Sequence, residues 1–206
     1  MEGAISMGAM VAALFIVAAR RVVPAVRLVM LQSLAVAALL LASGAGGWEP
    51  VAAAAVAALV KGVAMPLVLM RVVKKTGSQV GEDTVGLNAR LLISAVLVAL
   101  AFRFAQVLNF SGHNLAVTAA ALATLMLGLL AMLAKRLALM QALGLVVMEN
   151  GLFMVALSLT GPMPALVELG VLLDALVGIM VMGVLITNIK DTFDSLDTQE
   201  LTNLKG

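Results

Sequence analysis

The chain has 206 residues, 63% of them apolar and only 12% charged, against about 45–50% and about 25% in an ordinary soluble domain. Together with a net charge of +2 and a mean hydropathy of +1.15, this excludes a soluble globule and leaves membrane helices of about 20 apolar residues each. With no cysteine and one histidine, the chain alone can hold no iron–sulfur cluster, thiolate nickel or zinc site, or bis-His haem.

Allowing about 25 to 30 residues per span and turn, the length accommodates about seven spans. Apolar segments lie at 4–19, 26–42, 50–73, 91–108, 114–134, 139–160 and 164–189. The first follows an acidic N-terminus without a basic leader and runs into Arg20 and Arg21, so it reads as a retained span and not a cleaved signal peptide. Arg20, Arg21 and Arg27 mark the first break, whereas the second, around Gly46-Gly47-Trp48-Glu49-Pro50, has no base. Arg71, Lys74, Lys75 and Arg90 flank the third break, Arg103 lies near the fourth, Lys135 and Arg136 mark the fifth, and the sixth has none. With Lys190 and Lys205 after the last span, eleven of the thirteen basic residues fall on one side. The expectation is an all-α polytopic membrane protein with the N-terminus outside and the C-terminus cytoplasmic. The polar stretch from Lys74 to Asp83 reads as an exposed cytoplasmic turn.

Ionisable groups inside spans cost about 2.5–3.5 kcal/mol each at a helix centre, so they normally face protein or water and have partners. Lys61, Glu149, Glu168 and Asp174 qualify. At a rise of about 1.5 Å per residue, Lys61, Glu149 and Asp174 each lie roughly 15 Å from the outer boundary, and Glu168 about 6 Å from it. The tight turn at Thr160-Gly161-Pro162-Met163-Pro164 makes the last two spans antiparallel neighbours, which brings Glu149 and Asp174 to one depth. Two such carboxylates cannot both ionise cheaply, so one holds a proton or a cation such as Lys61 compensates. That balance suits a proton relay, whereas static pairing that only holds helices together is the alternative. Asn150 and Gln141 add neutral hydrogen-bonding capacity, and Gly144, Gly151, Gly170 and Gly178 permit close helix approach. His113 reads as a loop residue, and Arg103 as a side chain that snorkels outward. No phosphate-binding loop, nucleophile elbow or nucleic-acid patch is present.

Met148-Glu149-Asn150-Gly151, Leu166-Val167-Glu168-Leu169-Gly170 with Asp174-Ala175, and the ending from Leu196-Asp197 to Leu201-Thr202-Asn203-Leu204-Lys205-Gly206 resemble the membrane subunit family called hydrogenase-4 component E. Lys61 and Pro66, in Val60-Lys61-Gly62-Val63-Ala64-Met65-Pro66-Leu67, also look like that family's third span. The last three spans are similar to the K-type subunit of respiratory complex I and to the C subunit of multisubunit cation/proton antiporters. In that comparison Asp174 matches the second buried glutamate of the K-type subunit, Glu149 sits about one turn later than the first, and Glu168 has no counterpart.

The span count gives a four-helix region over 1–110, and the resemblance implies a K-subunit-like region over 111–190; the acidic tail over 191–206, with Leu196, Leu201 and Leu204 on a polar background, reads as a cytoplasmic docking segment, with a disordered tail as the alternative. The resemblance also implies a non-catalytic subunit of a formate hydrogenlyase-type or complex I-like assembly in the prokaryotic plasma membrane. Glu149, Asp174, Glu168 and Lys61 would then carry protons or sodium ions. The partners implied are antiporter-like membrane subunits and a hydrogenase-like peripheral arm that holds nickel–iron and iron–sulfur centres, with no cofactor and no catalytic site in this chain. An antiporter subunit without a redox partner and a passive scaffold stay open as alternatives.

Overall fold

A computed structural model describes residues 1–42, 48–76, 83–107, 114–160 and the single residue 178. The described residues are helical, with short connections. Helix α1 spans Glu2–Ala18, α2 Val22–Ala42, α3 Trp48–Leu59, and α4 Met65–Thr76, with a π-helical turn at Val60–Ala64 between α3 and α4. Helix α5 spans Leu87–Val107, α6 Leu115–Ala134 and α7 Ala138–Thr160. Among the described residues, Val22–Ala42, Leu87–Val107, Leu115–Ala134 and Ala138–Leu159 are long and apolar enough to cross a membrane, and α1 is a shorter apolar helix. The expected segment at 164–189 lies outside the described residues apart from residue 178.

The four long helices are apolar on nearly all sides, the pattern of a membrane span and not of a surface helix with one wet face, whereas α4 carries Arg71, Lys74 and Lys75. Phe15, Leu31, Leu92, Leu100, Phe104 and Leu133 all stand exposed. In water such a surface would drive association; in a bilayer it is the ordinary lipid-facing surface. The chain is a membrane protein.

The α6–α7 hairpin has the most extensive interface; α1 packs on α6 and α2, α2 also touches α7 and the 48–76 stretch, and α5 lies against α6 and α1. One apolar core runs through Ala13, Val17, Val26, Leu127, Leu143 and Val147, drawing on α1, α2, α6 and α7 together. Local signals fix several helix ends. Asn114 caps α6 through its side chain, which accepts from the Ala116 amide at 3.1 Å, satisfying one of the amides a helix start leaves unpaired. The chain turns from extended at Ala19 straight into α2, so Arg20 and Arg21 sit at the tip of a tight helical hairpin.

Candidate functional site

Lys61 lies in the π turn, and Pro66 explains why the turn is there. A proline has no amide hydrogen, and its ring collides with the carbonyl of the residue a turn earlier, here Gly62. Widening to the i→i+5 pattern relieves that collision without ending the helix. Gly62 also fits the site, because a Cβ there would press on the Leu34 side chain.

From this turn Lys61 reaches α7, where its Nζ donates to Glu149 Oε1 at 2.8 Å. Both side chains are buried, 10% and 5% exposed. The sequence puts these two residues at one depth on different spans, and the structure places them in direct contact. Next on α7, Asn150 Nδ2 donates to Ser33 Oγ at 3.1 Å and to Gln32 Oε1 at 3.4 Å. Gln32 Nε2 in turn donates to the Ala9 carbonyl at 3.1 Å. The ion pair and the amide chain therefore join α1, α2, the π turn and α7 in one polar band. Interhelical hydrogen bonds in membranes are worth about 0.6 kcal/mol on average, so the amides orient the helices more than they stabilise them.

Gln32 and Ser33 are functional-site candidates that sequence reasoning did not single out. The signal was available: Gln32 lies ten residues into α2, roughly 15 Å from its start, in a run that is otherwise nearly all apolar. Gln141 lies elsewhere, exposed near the start of α7, where its Nε2 donates to the Lys135 carbonyl at 2.8 Å. Arg103 is exposed beside Gln106 at 3.4 Å. Glu168, Asp174 and His113 fall outside the described residues. Gly144 and Gly151 do mark close helix approach, and Gly128 on α6 joins them.

A second charged cluster gathers at one end of the bundle. The sequence reading of Asp83 as part of an exposed turn is corrected here. Its side chain is 11% exposed, with Arg90 Nη2 at 2.5 Å, Lys135 Nζ at 2.9 Å and Arg20 Nε at 3.6 Å. Arg90 also donates to the Val17 carbonyl at 2.7 Å, and Lys135 to the Ala19 carbonyl. The Thr84 amide reaches the Ala134 carbonyl at 3.0 Å, so the first, third and fifth breaks meet at this end. A polar loop residue looks solvated in sequence; here distant cations converge on it, which only the tertiary fold arranges.

Burial holds the Lys135 ammonium below its ordinary value of 10.5; the hydrogen bond it donates to Asp83 opposes this, and repulsion from Arg90 adds to it. Between the depressed folded value and 10.5 the unfolded chain binds more protons, so the contribution of Lys135 makes stability rise with pH through that window. Asp83→Asn removes the group that holds the Lys135 value up, which widens the window downward. We expect that variant to cost about 3 kcal/mol near neutrality, the low end for breaking a buried pair, with part of the loss recovered as pH rises toward 10.5. Melting midpoints of the purified chain across this range, with Lys135→Met as the variant whose slope disappears, check it.

Among the described residues no three or more His, Cys, Asp or Glu side chains group as a metal site. What the arrangement offers instead is a carboxylate and an ammonium, paired across helices and shielded from water.

No protein-family profile matches the chain, and no solved structure matches it. The protein named hydrogenase-4 component E of Escherichia coli K12 is 41% identical over 88 residues, covering 43% of this chain and 41% of that protein; its Shigella flexneri counterpart gives the same figures. The chain thus spans less than half of the hydrogenase components it matches. Similarity runs nearly end to end with the Mycobacterium tuberculosis protein named Uncharacterized protein Rv0085, 32% identical over 204 residues, 96% of this chain and 93% of that protein. At that identity and coverage, the chain belongs to the same family as the mycobacterial protein Rv0085.

Proposed function

We propose that this chain is a non-catalytic membrane subunit of a hydrogenase-type, complex I-like redox assembly, coupling electron transfer in a partner arm to proton translocation. The observation that carries the reading is the buried Lys61–Glu149 pair at 2.8 Å. Ion pairs removed from water are often no more stabilising than apolar residues of the same volume, and ionisable groups inside membrane helices are by default functional. The partial likeness to hydrogenase-4 component E favours a redox assembly over an antiporter that works without one.

The chemistry is a contest for Glu149. While ionised, it holds the Lys61 ammonium; a proton arriving on it cancels the attraction and frees Lys61 to find another partner. Return of Lys61 expels the proton. In this reading Asp174 receives that proton on the 164–189 segment, and Glu168 carries it toward the outer side or a neighbouring subunit. Seven spans, an outer N-terminus and a cytoplasmic C-terminus complete the arrangement, with antiporter-like subunits and a nickel–iron and iron–sulfur arm as partners.

The test is redox-driven proton uptake in membrane vesicles that contain the intact assembly. Glu149→Gln and Asp174→Asn should each abolish uptake while electron transfer continues. Uptake at the wild-type level in both variants and in their combination would sink the proposal. Uptake that vanishes when sodium is withdrawn would identify sodium as the ion.

A further inference from the structure

The two halves of the 48–76 stretch bury different registers. Before the π turn, the inward residues among the described side chains are Ala54, Ala58 and Lys61, with Ala55 and Leu59 outside. After it they are Pro66, Leu69 and Val73, with Leu67 and Arg71 outside. Each set has the three- and four-residue spacing of a single helix face. In an unbroken α-helix, however, the two faces would not meet.

Leu59 and Pro66, seven residues apart, would share a face in such a helix; Leu59 is 63% exposed and Pro66 is buried. Lys61 and Pro66, five apart, would point about 140° away from each other, yet both are buried. One extra residue between the halves removes the mismatch, and the wider turn at Val60–Ala64 supplies it. Ala54 then joins an apolar cluster with Leu39 and Met154, and Leu69 and Val73 join one with Val26 and Leu143. Both halves thus pack into clusters that α2 and α7 share.

We infer that Pro66 is a positioning residue for Lys61: the extra residue it forces into this stretch turns the lysine onto Glu149, and a plain α-helix would turn it toward lipid. With Pro66→Ala, the new amide at position 66 bonds the Gly62 carbonyl and the turn closes to α geometry. One half must then rotate by about 100°, the angle of one residue. Leu69 and Val73 hold α4 in the core, whereas α3 buries alanines, whose smaller apolar area holds it less firmly. Helix α3 therefore turns, and Lys61 leaves Glu149 with it.

The part this contact plays in proton transfer rests on the function proposed above; the contact itself does not, so stability and uptake are measured separately. A melting-midpoint cycle of Lys61→Leu and Glu149→Leu is run on the full-length chain in three backgrounds: native, Pro66→Ala, and Pro66→Ala with Val63 deleted. Val63 is 43% exposed, and its deletion leaves residues 61 and 66 four apart, rejoining the two faces at α-helical spacing. The non-additivity of the cycle should be lost with Pro66→Ala and return in the shortened chain. Pro24→Ala should leave it intact, because Pro24 is exposed in the first turn of α2, where an amide has no helical partner. Non-additivity that survives Pro66→Ala would overturn the assignment, and so would its failure to return in the shortened chain. If Pro66→Ala does not fold, the shortened chain decides: non-additivity there supports the assignment, and additivity overturns it. In the assembled complex, proton uptake should vanish with Pro66→Ala and return on shortening. Uptake indifferent to both changes, with a cycle that follows them, would sink the proton-transfer reading and leave the positioning of Lys61 standing.

Discussion

Lys61→Leu alone should destabilise the purified chain by about 3–5 kcal/mol, and Glu149→Leu alone by a similar amount, whereas the two together should cost little or nothing. The reason lies in what each single variant leaves behind. Either charge then loses a contact at 2.8 Å in a site that excludes water, at 10% or 5% side-chain exposure, and its desolvation is offset less well. Removing both exchanges a desolvated ion pair for apolar contact, which is often neutral or stabilising by about 1–4 kcal/mol. A thermal-melting double-mutant cycle reads the coupling directly. Single losses below about 1 kcal/mol, the level of exposed pairs, would show that the contact is open to solvent.

The double variant also separates coupling from scaffolding. If the pair only holds helices together, a stable Lys61→Leu, Glu149→Leu chain in an assembled complex should work normally. If the pair carries protons, that complex assembles and transfers electrons but takes up none. Stability and transport therefore diverge in one protein, and a folding defect cannot be mistaken for a coupling defect.

What could be read from the sequence followed how expensive each residue is in its surroundings. Lys61 and Glu149 stand out because a charge in an apolar run demands an explanation, and helical rise alone gives them a common depth. The helix limits follow apolar length: the expected 114–134 and 139–160 differ from α6 and α7 by single residues. Gln32 and Ser33 escaped because no buried charge on their own span draws attention to them, as Glu149 does to Asn150 and Gln141, although both are buried and bonded to Asn150. Pro66 was visible, but a kink, a break and a π turn all satisfy a missing amide, and packing of Gly62 on Leu34 belongs to the tertiary structure. Asp83 was the least legible. Its loop is polar and looks wet, and its cations come from the α1–α2 turn, α5 and the α6–α7 turn.

Gly128→Ala and Gly151→Ala should each destabilise the α6–α7 hairpin by about 1–3 kcal/mol or more, the cost of overpacking an interior. A Cβ added at Gly128 would fall on the backbone of Met148, one at Gly144 on that of Met132, and one at Gly151 on that of Leu125. The glycines thus alternate along two antiparallel helices whose backbones nearly touch, and a rotamer change cannot relieve a clash with main chain. The helices must separate. Because α7 is held between α6 and α2, the displacement pushes Glu149 against the π turn and pulls Asn150 out of register with Ser33. Melting midpoints should fall for both variants, and proton uptake should fall further than the stability loss accounts for. Gly8→Ala is the matched control, since nothing lies within 4 Å of an added Cβ there. A melting midpoint for Gly151→Ala equal to that of Gly8→Ala would refute the close approach and with it the mechanical link from the hairpin to the Lys61–Glu149 pair.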